Sequence, residues 1–581
     1  MKELVLYTSR LSVLMSALMV VFGSQAQTVD IEQRQREQLE QQRAQQQQEQ
    51  EQRASQLTGV SPSEAKPSQV SDSQQCFEVK HIQWQETGKV SVPNYLKNQA
   101  QQYILDDYGR FRCLNSAQII TLQKQLANSL IENGHITSKI SFPSQNIASG
   151  TLNIDWYPGT VEQITHDTKQ GQPIGVLEFL YPHQVGRLYN QRHFDQALEN
   201  LKRLGSQGNA SIDLVPGQIE GTTQVLYHLE NTPWYKRIHG SAGLDNSGSD
   251  SSGQYQGNAS LTFDSPLHLY DQLTVNFNHN ADANSNQHNS KSWAAYWDVN
   301  HGPLNVSLSY SKSDYFLTSP GLKNPYVTLP DVINSGQTQD YSLGLSYMLY
   351  RNTSTKLQAT GKIGRKITHN YIDHTEIPNQ LRDYVYLDTG LNLTHYYQNQ
   401  QYTLSANLRQ NLPQHSKAVG EVLGQPNWDG KWRVYTVNAG ATIPFQIQQK
   451  AFKYSSNLKL QHGERPLPGS EYFSIGSRYS VRGFDETFSL SAEDGLTWRN
   501  ELAYLYGANK AQQIYLALDY GKVHGPATEW LAGTYLAGAA LGARGSWRGL
   551  NYDVAIATPI HYPKPMSSKS PSIYASLNYS F

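Results

Sequence analysis

LTVNFN, residues 273–278, places Leu273, Val275 and Phe277 on one face of an extended chain and Thr274, Asn276 and Asn278 on the other. LNVSLSY (304–310), YSLGLSY (341–347) and YTLSANL (402–408) repeat that parity, as do VYTVNAGATI (434–443) and LNYDVAI (550–556). Alternation with period two, sustained from residue 232 to 581, signals antiparallel β-structure. A soluble sandwich alternates in the same way, so parity alone does not decide. Three details favour a transmembrane barrel. Short polar turns alternate with long Gly/Asn/Ser-rich ones such as 279–292, and Tyr and Trp cluster near strand ends. The chain finishes SIYASLNYSF, with Ile573, Leu577, Tyr579 and Phe581 on one face. A strand of ~10 residues with half a short and half a long turn averages ~22 residues, which suits about sixteen strands.

The composition agrees. Thirty-seven tyrosines accompany a polar mean hydropathy of -0.58, as a barrel with alternating lipid-facing and lumen-facing residues requires. No stretch after residue 23 approaches the ~18 apolar residues of a membrane helix. The 47 Lys+Arg against 48 Asp+Glu leave no field for nucleic acid. Lys2 and Arg10, the apolar LSVLMSALMVVFG (11–23) and Ser24-Gln25-Ala26 read as an export signal over 1–26. In the oxidising compartment beyond, Cys76 and Cys113 are expected to form one disulfide, with two buried thiols as the alternative.

Residues 27–54 include DIEQRQREQLEQQRAQQQQEQEQRA (30–54), which lacks Pro, Gly and an apolar stripe. This fits a disordered Gln-rich tether, and equally a helix polar on every side inside a polar pore. The 25 residues would reach ~37 Å as a helix, enough for a ~30 Å hydrocarbon layer. Pro62, Pro67 and several serines make 55–74 a flexible linker. Two α+β units are expected next, at 75–157 and 158–231. In the first, CFEVKHIQW (76–84) reads as a strand and PNYLKNQAQQYILDDY (93–108) as a helix. Ser116 then caps a helix over 117–134, stopped by Gly134, and ITSKISF and TLNIDWY read as strands. VEQITH (161–166), QRHFDQALENLKRLG (191–205), NASIDLV and TQVLYHLEN repeat the order strand–helix–helix–strand–strand.

Between the alternating strands lies SRYSVRGFDE (477–486). It fits a solvated loop pairing Arg482 with Asp485, worth less than about 1 kcal/mol. It fits equally a segment folded into a wet lumen. Parity supplies a partner for the second case: if Ile514, Leu516 and Leu518 face lipid, then Tyr515, Ala517 and Asp519 face inward. The same reasoning on WRNELAYLY (498–506) sends Leu502 and Tyr504 outward and Arg499 and Glu501 inward.

Val481-Arg482-Gly483-Phe484, YLALDYGKV (515–523) and the aromatic C-terminus, together with the domain order, resemble the two-partner secretion transporters of the outer membrane. These belong to a superfamily that joins POTRA domains to a barrel. The resemblance spans the mature chain. It implies an inward-folded loop whose Arg482 pairs with Asp519, with Ala517 standing where the family carries an aromatic residue. It implies that 27–54 is a helix plugging the pore at rest, and that 75–157 and 158–231 are POTRA domains capturing an unfolded exoprotein through its N-terminal secretion domain. Capture by β-augmentation is placed mainly on the second unit. Ile573, Leu577, Tyr579 and Phe581 become the C-terminal signal read by the barrel assembly machinery. The cargo class is haemolysins, adhesins or contact-dependent growth-inhibition toxins. The expected location is the outer membrane of a Gram-negative bacterium, among lipid and lipopolysaccharide, as a monomer with its POTRA units in the periplasm. No catalytic residue, metal or cofactor is expected. H-E-x-x-H, G-x-S-x-G and nucleotide-binding glycine motifs are absent from the sequence. The alternative is an insertase of the same superfamily; an outer-membrane lipase and a diffusion porin explain less.

Overall fold

The computed structural model describes Glu40 and residues 76–581, apart from 169–170, 249–252, 283–287, 320–329, 421, 423–424, 426–427, 465, 486–488 and 565–569. The expected export signal, polar helix and linker thus lie outside the described residues, except Glu40, which is helical.

The first unit packs helices Asn94–Tyr103 and Ser116–Glu132 against a three-stranded sheet in which Thr151–Tyr157 lies between His81–Glu86 and Lys139–Ser141. Leu96, Leu122, Leu126 and Leu130 meet Ile154 and Trp156 in its core. The helix cap differs from expectation. Asn115, not Ser116, accepts from the Gln118 N–H, while the Gln118 side chain takes the Asn115 N–H in return. This reciprocal pair satisfies two donors that a serine one residue later could not reach. The helix expected to run to 108 stops at Tyr103, and the 76–84 strand is broken where Lys80 and His81 donate to the Gly150 carbonyl. Cys76 is bonded to Cys113, tying the N-terminal edge of the unit to the strand before its second helix. Closing that loop stabilises the unit by about 4 kcal/mol in the chain-entropy account.

The second unit repeats the order: strand Thr160–His166, helices Leu177–Leu180 and Gln191–Lys202, strands Ser211–Pro216 and Thr222–His228. Its core does not end at its own boundary. Tyr270, from a turn between barrel strands, is buried in the same cluster as Phe194, Leu201 and Tyr227. Around that contact the helix Gln191–Lys202 presents polar groups to the barrel. Glu199 receives Arg351 at 2.5 and 2.8 Å and Lys356 at 2.7 Å. Asn200 donates to the Gly302 carbonyl at 2.9 Å, and Arg203 binds Asp298 and the Tyr270 carbonyl. The second unit is therefore seated on the short turns of the barrel.

From Ile238 to Ser580 the chain closes into an antiparallel barrel. Among the described residues its wall has sixteen strands; the two-residue Thr375–Glu376 is a hairpin arm folded on Tyr371–Ile372, and Thr355–Ile372 pairs directly with Arg382–Tyr397. Ile238–Asp245 closes on Ser572–Ser580 through five residue pairs, Ser576–Asp245 to Ser580–Ser241. The parity is as the alternation requires. Ile514, Leu516 and Leu518 are 46, 50 and 52 % exposed, while Tyr515, Ala517 and Asp519 are 4, 1 and 4 % exposed. Leu516, Leu541, Ile556 and Ile573 face one another across successive strands on the outside, and Leu577, Tyr579 and Phe581 are exposed further along the last strand. Several strands exceed the ~10 residues that span a bilayer; Val332–Arg351 has 20. The excess carries outward ion pairs, such as Arg365–Asp383 at 2.6 Å, that a hydrocarbon layer would penalise. Those ends stand above it.

Candidate functional site

The connection between strands Lys450–Glu464 and Asp494–Tyr506 folds back into the barrel. Phe473–Ile475 pairs with Leu490–Ala492 as a small hairpin. Its apolar side chains, with Val481 and Phe484, pack on Val523 and Leu536 of the wall. Between the hairpin arms the chain turns tightly: the Ser480 hydroxyl accepts from the N–H groups of Gly476 and Ser477, and Ser477 accepts from the Ser480 and Val481 N–H groups. This turn presents Arg482.

Arg482 is 7 % exposed and binds Asp519 as a fork, through Nε at 2.6 Å and Nη2 at 2.8 Å. Its own N–H reaches the same carboxylate at 3.1 Å, and Nη1 donates to Glu501 at 2.9 Å. Glu501 also holds Arg544 at 2.5 Å, and Arg544 lies 4.0 Å over the Tyr515 ring, whose hydroxyl donates to Asp553. Arg499 donates to the carbonyls of Tyr479 and Arg478. The register explains the cluster: Arg499 faces Asp519 and Glu501 faces Ala517 across two neighbouring strands. A small residue at 517 leaves the side chain of Glu501 accessible to Arg482, so a second carboxylate joins Asp519 around the guanidinium.

Backbone geometry holds the tip as firmly. Gly483 has φ +115°, and a Cβ there would lie 2.6 Å from the Thr558 carbonyl oxygen. A Cβ on Gly538 would lie 1.7 Å from the Arg482 carbonyl oxygen, so the wall is thinned where the tip touches it. The Tyr574 hydroxyl accepts from the Gly483 N–H and donates to the Phe484 carbonyl. Arg478 reaches the first strand's end, donating to Asn246, and its guanidinium lies 4.7 Å over Tyr574 of the last strand. Asn246 in turn donates to the Ile573 carbonyl and accepts from the Ala575 N–H. Thus the inward segment touches both strands of the barrel seam.

Of the residues expected from the sequence, Val481, Arg482, Gly483, Phe484 and Asp519 are brought together here, while Asp485 takes no part in binding Arg482. Glu501, Arg499, Arg544, Arg478, Asn246 and Tyr574 join them and were missed as site residues. Parity had turned Arg499 and Glu501 inward, but which inward residues meet depends on strand register.

A family model described as haemolysin secretion/activation protein ShlB/FhaC/HecB matches residues 225–545, a stretch that holds most of the barrel strands with Arg482, Glu501 and Asp519. The chain belongs to that family. A ShlB-type POTRA domain model matches 77–159, the first α+β unit of the transporter. Among curated relatives, it is 29 % identical to outer membrane transporter CdiB-2 of Burkholderia pseudomallei strain 1026b, over 78 % of this chain and 76 % of that one. It is 27 % identical to hemolysin transporter protein HpmB of Proteus mirabilis, over 73 % of each. The solved structure of CdiB from Escherichia coli superposes with a TM-score of 0.80 at 26 % identity, covering 94 % of this transporter and 98 % of that chain. The two-partner secretion reading therefore holds over the insertase reading. The protein is an outer-membrane transporter that moves a partner exoprotein, and the POTRA region ahead of its barrel lies in the periplasm.

Proposed function

We propose that the second α+β unit is also a POTRA domain, and that an unfolded exoprotein of the haemolysin, adhesin or contact-dependent growth-inhibition class is captured there before entering the lumen. The observation that carries this is the edge strand Ser211–Pro216. It ends the three-stranded sheet, and its Leu214 and Val215 are exposed. An extended cargo segment can add beside it, main chain to main chain, with side chains on one face resting on Leu214 and those on the other on Val215. The three-stranded sheet of the first unit has the three-residue edge Lys139–Ser141 and the six-residue edge His81–Glu86. The transport step itself needs no catalytic group or cofactor; folding of the cargo outside supplies direction. The C-terminal strand is read by the barrel assembly machinery, and the mature monomer sits among lipid and lipopolysaccharide.

Both cysteines of the chain are in the Cys76–Cys113 bond, so Leu214→Cys introduces a unique thiol. Labelled with a photo-crosslinker, it is expected to trap the exoprotein encoded beside the transporter. Leu214→Asp with Val215→Asp is expected to cut secretion about tenfold while the barrel keeps its heat-modifiable gel mobility. Unaltered secretion with no crosslink places capture elsewhere.

Residues 27–54 act, in the same proposal, as a helix that closes the pore at rest. Deleting them is expected to enlarge and steady the conductance in planar bilayers. Unchanged conductance returns that segment to a tether.

A further inference from the structure

The root of the inward segment carries a carboxylate that neither the clasp nor cargo capture uses. Glu471, in the turn Gly469–Glu471, is 4 % exposed. It accepts from the Tyr384 hydroxyl at 3.0 Å and from Arg409 Nη1 at 3.4 Å. Arg409 is itself fixed by a fork on Asp388, at 2.7 and 3.2 Å, and Lys362 reaches Asp388 at 3.0 Å. The Arg409 guanidinium lies 4.7 Å over the Tyr386 ring, whose hydroxyl donates to Asp340. The Glu471 carbonyl accepts from Gln461 at 2.9 Å. Tyr384 and Arg409 stand on strands Arg382–Tyr397 and Gln400–Asn411. Two further strands, Arg433–Ile447 and Lys450–Glu464, separate them from the strand of Glu501, where the Arg482 footing begins.

Burying a carboxylate is costly unless it is paired, and water would solvate it freely in an ordinary loop. Here a prepared cation and a phenol receive it. The polarity is the reverse of the tip: Arg482 brings a cation to a wall anion, and Glu471 brings an anion to a wall cation. We infer that Glu471 is a second positioning residue for transport, whose seat on Arg409 and Tyr384 holds the root of the inward segment so that clearing the lumen requires two clasps of opposite sign to open. The two footings hold the segment at its root and at its tip. Freeing one leaves it tethered by the other, so partial motion keeps the pore narrow.

This inference rests on the proposed transport of cargo through the lumen and adds that the inward segment moves to clear it, and the test separates the two. Full-length protein in planar bilayers is compared with Glu471→Gln, Arg409→Gln and Tyr384→Phe, alongside Arg482→Ala. Large-conductance openings are expected about tenfold more often in Glu471→Gln and Arg409→Gln, from loss of a charge-assisted hydrogen bond, and about threefold more often in Tyr384→Phe. Heat-modifiable mobility is expected to stay unchanged, which a merely structural role would not combine with altered gating. If Glu471→Gln fails to form a barrel, Tyr384→Phe, which removes one hydroxyl, decides. Openings at the unmodified frequency in a folded Tyr384→Phe and Glu471→Gln overturn the assignment. Openings that rise only with loss of the folded band overturn it too. If Arg482→Ala alone responds, only the role of Glu471 falls; if nothing responds, the moving segment falls with it.

Discussion

Replacing Arg482 with alanine is expected to abolish secretion, or cut it more than tenfold, while leaving the barrel folded. The substitution removes the fork on Asp519, whose side chain is fully buried, and leaves it the longer ion pair to Arg499 at 3.9 Å, in a space shielded from water. Removing one partner of a buried pair costs about 3–5 kcal/mol, because the remaining charge is unsolvated. That cost falls on the inward conformation of the segment, not on the wall, whose sixteen strands keep their ladder. Arg482→Lys is expected to recover little: an ammonium cannot span both Asp519 oxygens and Glu501 at once. Adding Asp519→Asn to Arg482→Ala removes the stranded charge and is expected to restore stability without restoring transport. Secretion and heat-modifiable mobility, measured on the same membranes, distinguish these outcomes. Full secretion by Arg482→Ala leaves the clasp without a function.

The second large effect is expected at the joint between the second unit and the barrel. Glu199 is held between Arg351 and Lys356, with side chains only 11, 12 and 25 % exposed respectively. Burial alone would raise its carboxyl, yet the hydrogen bonds and charges of the two cations outweigh it and keep Glu199 below the usual range. A depressed carboxyl stabilises the folded state above its unfolded value, 4.5, and that contribution is lost as pH falls below it. Glu199→Gln removes it at neutral pH and leaves two cations facing each other. A loss of about 3 kcal/mol in docking is expected. Hydrogen exchange should then speed up in the helix Gln191–Lys202 and in the turns around Gly302 and Asn352, and secretion should drop as cargo arrives at a misaligned mouth. Protection equal to the unmodified protein means the packing of Tyr270 and the contacts of Asn200 and Arg203 carry the joint without Glu199.

Much of this was legible in the residues. Strict alternation in 514–519 oriented Asp519 inward because a pleated strand has only two faces, and lipid accepts Ile514, Leu516 and Leu518 on one of them. The glycine and the arginine of 482–483 announced a tight, charged turn. The helix start was misread by one residue at Asn115, since either Asn115 or Ser116 could cap and only the reciprocal bond with Gln118 chooses. Tyr270 could not be seen as part of the second unit's core, because it lies more than 60 residues beyond the helix it packs on and reads as one more strand-end tyrosine.

What the chain order and side-chain parity determined is which residues face lipid, which face water, and where soluble units give way to barrel. These are local properties, decided by neighbours two residues apart. The company that inward side chains keep was decided only by closure of the barrel. Register between strands sets Arg499 opposite Asp519 and Glu501 opposite Ala517, and the return of the inward segment brings Glu471 to Arg409 and Arg478 to Asn246 across long stretches of sequence. A charge pair falls off with distance in space and carries no mark of its partner along the chain, so only the folded cylinder could assign it.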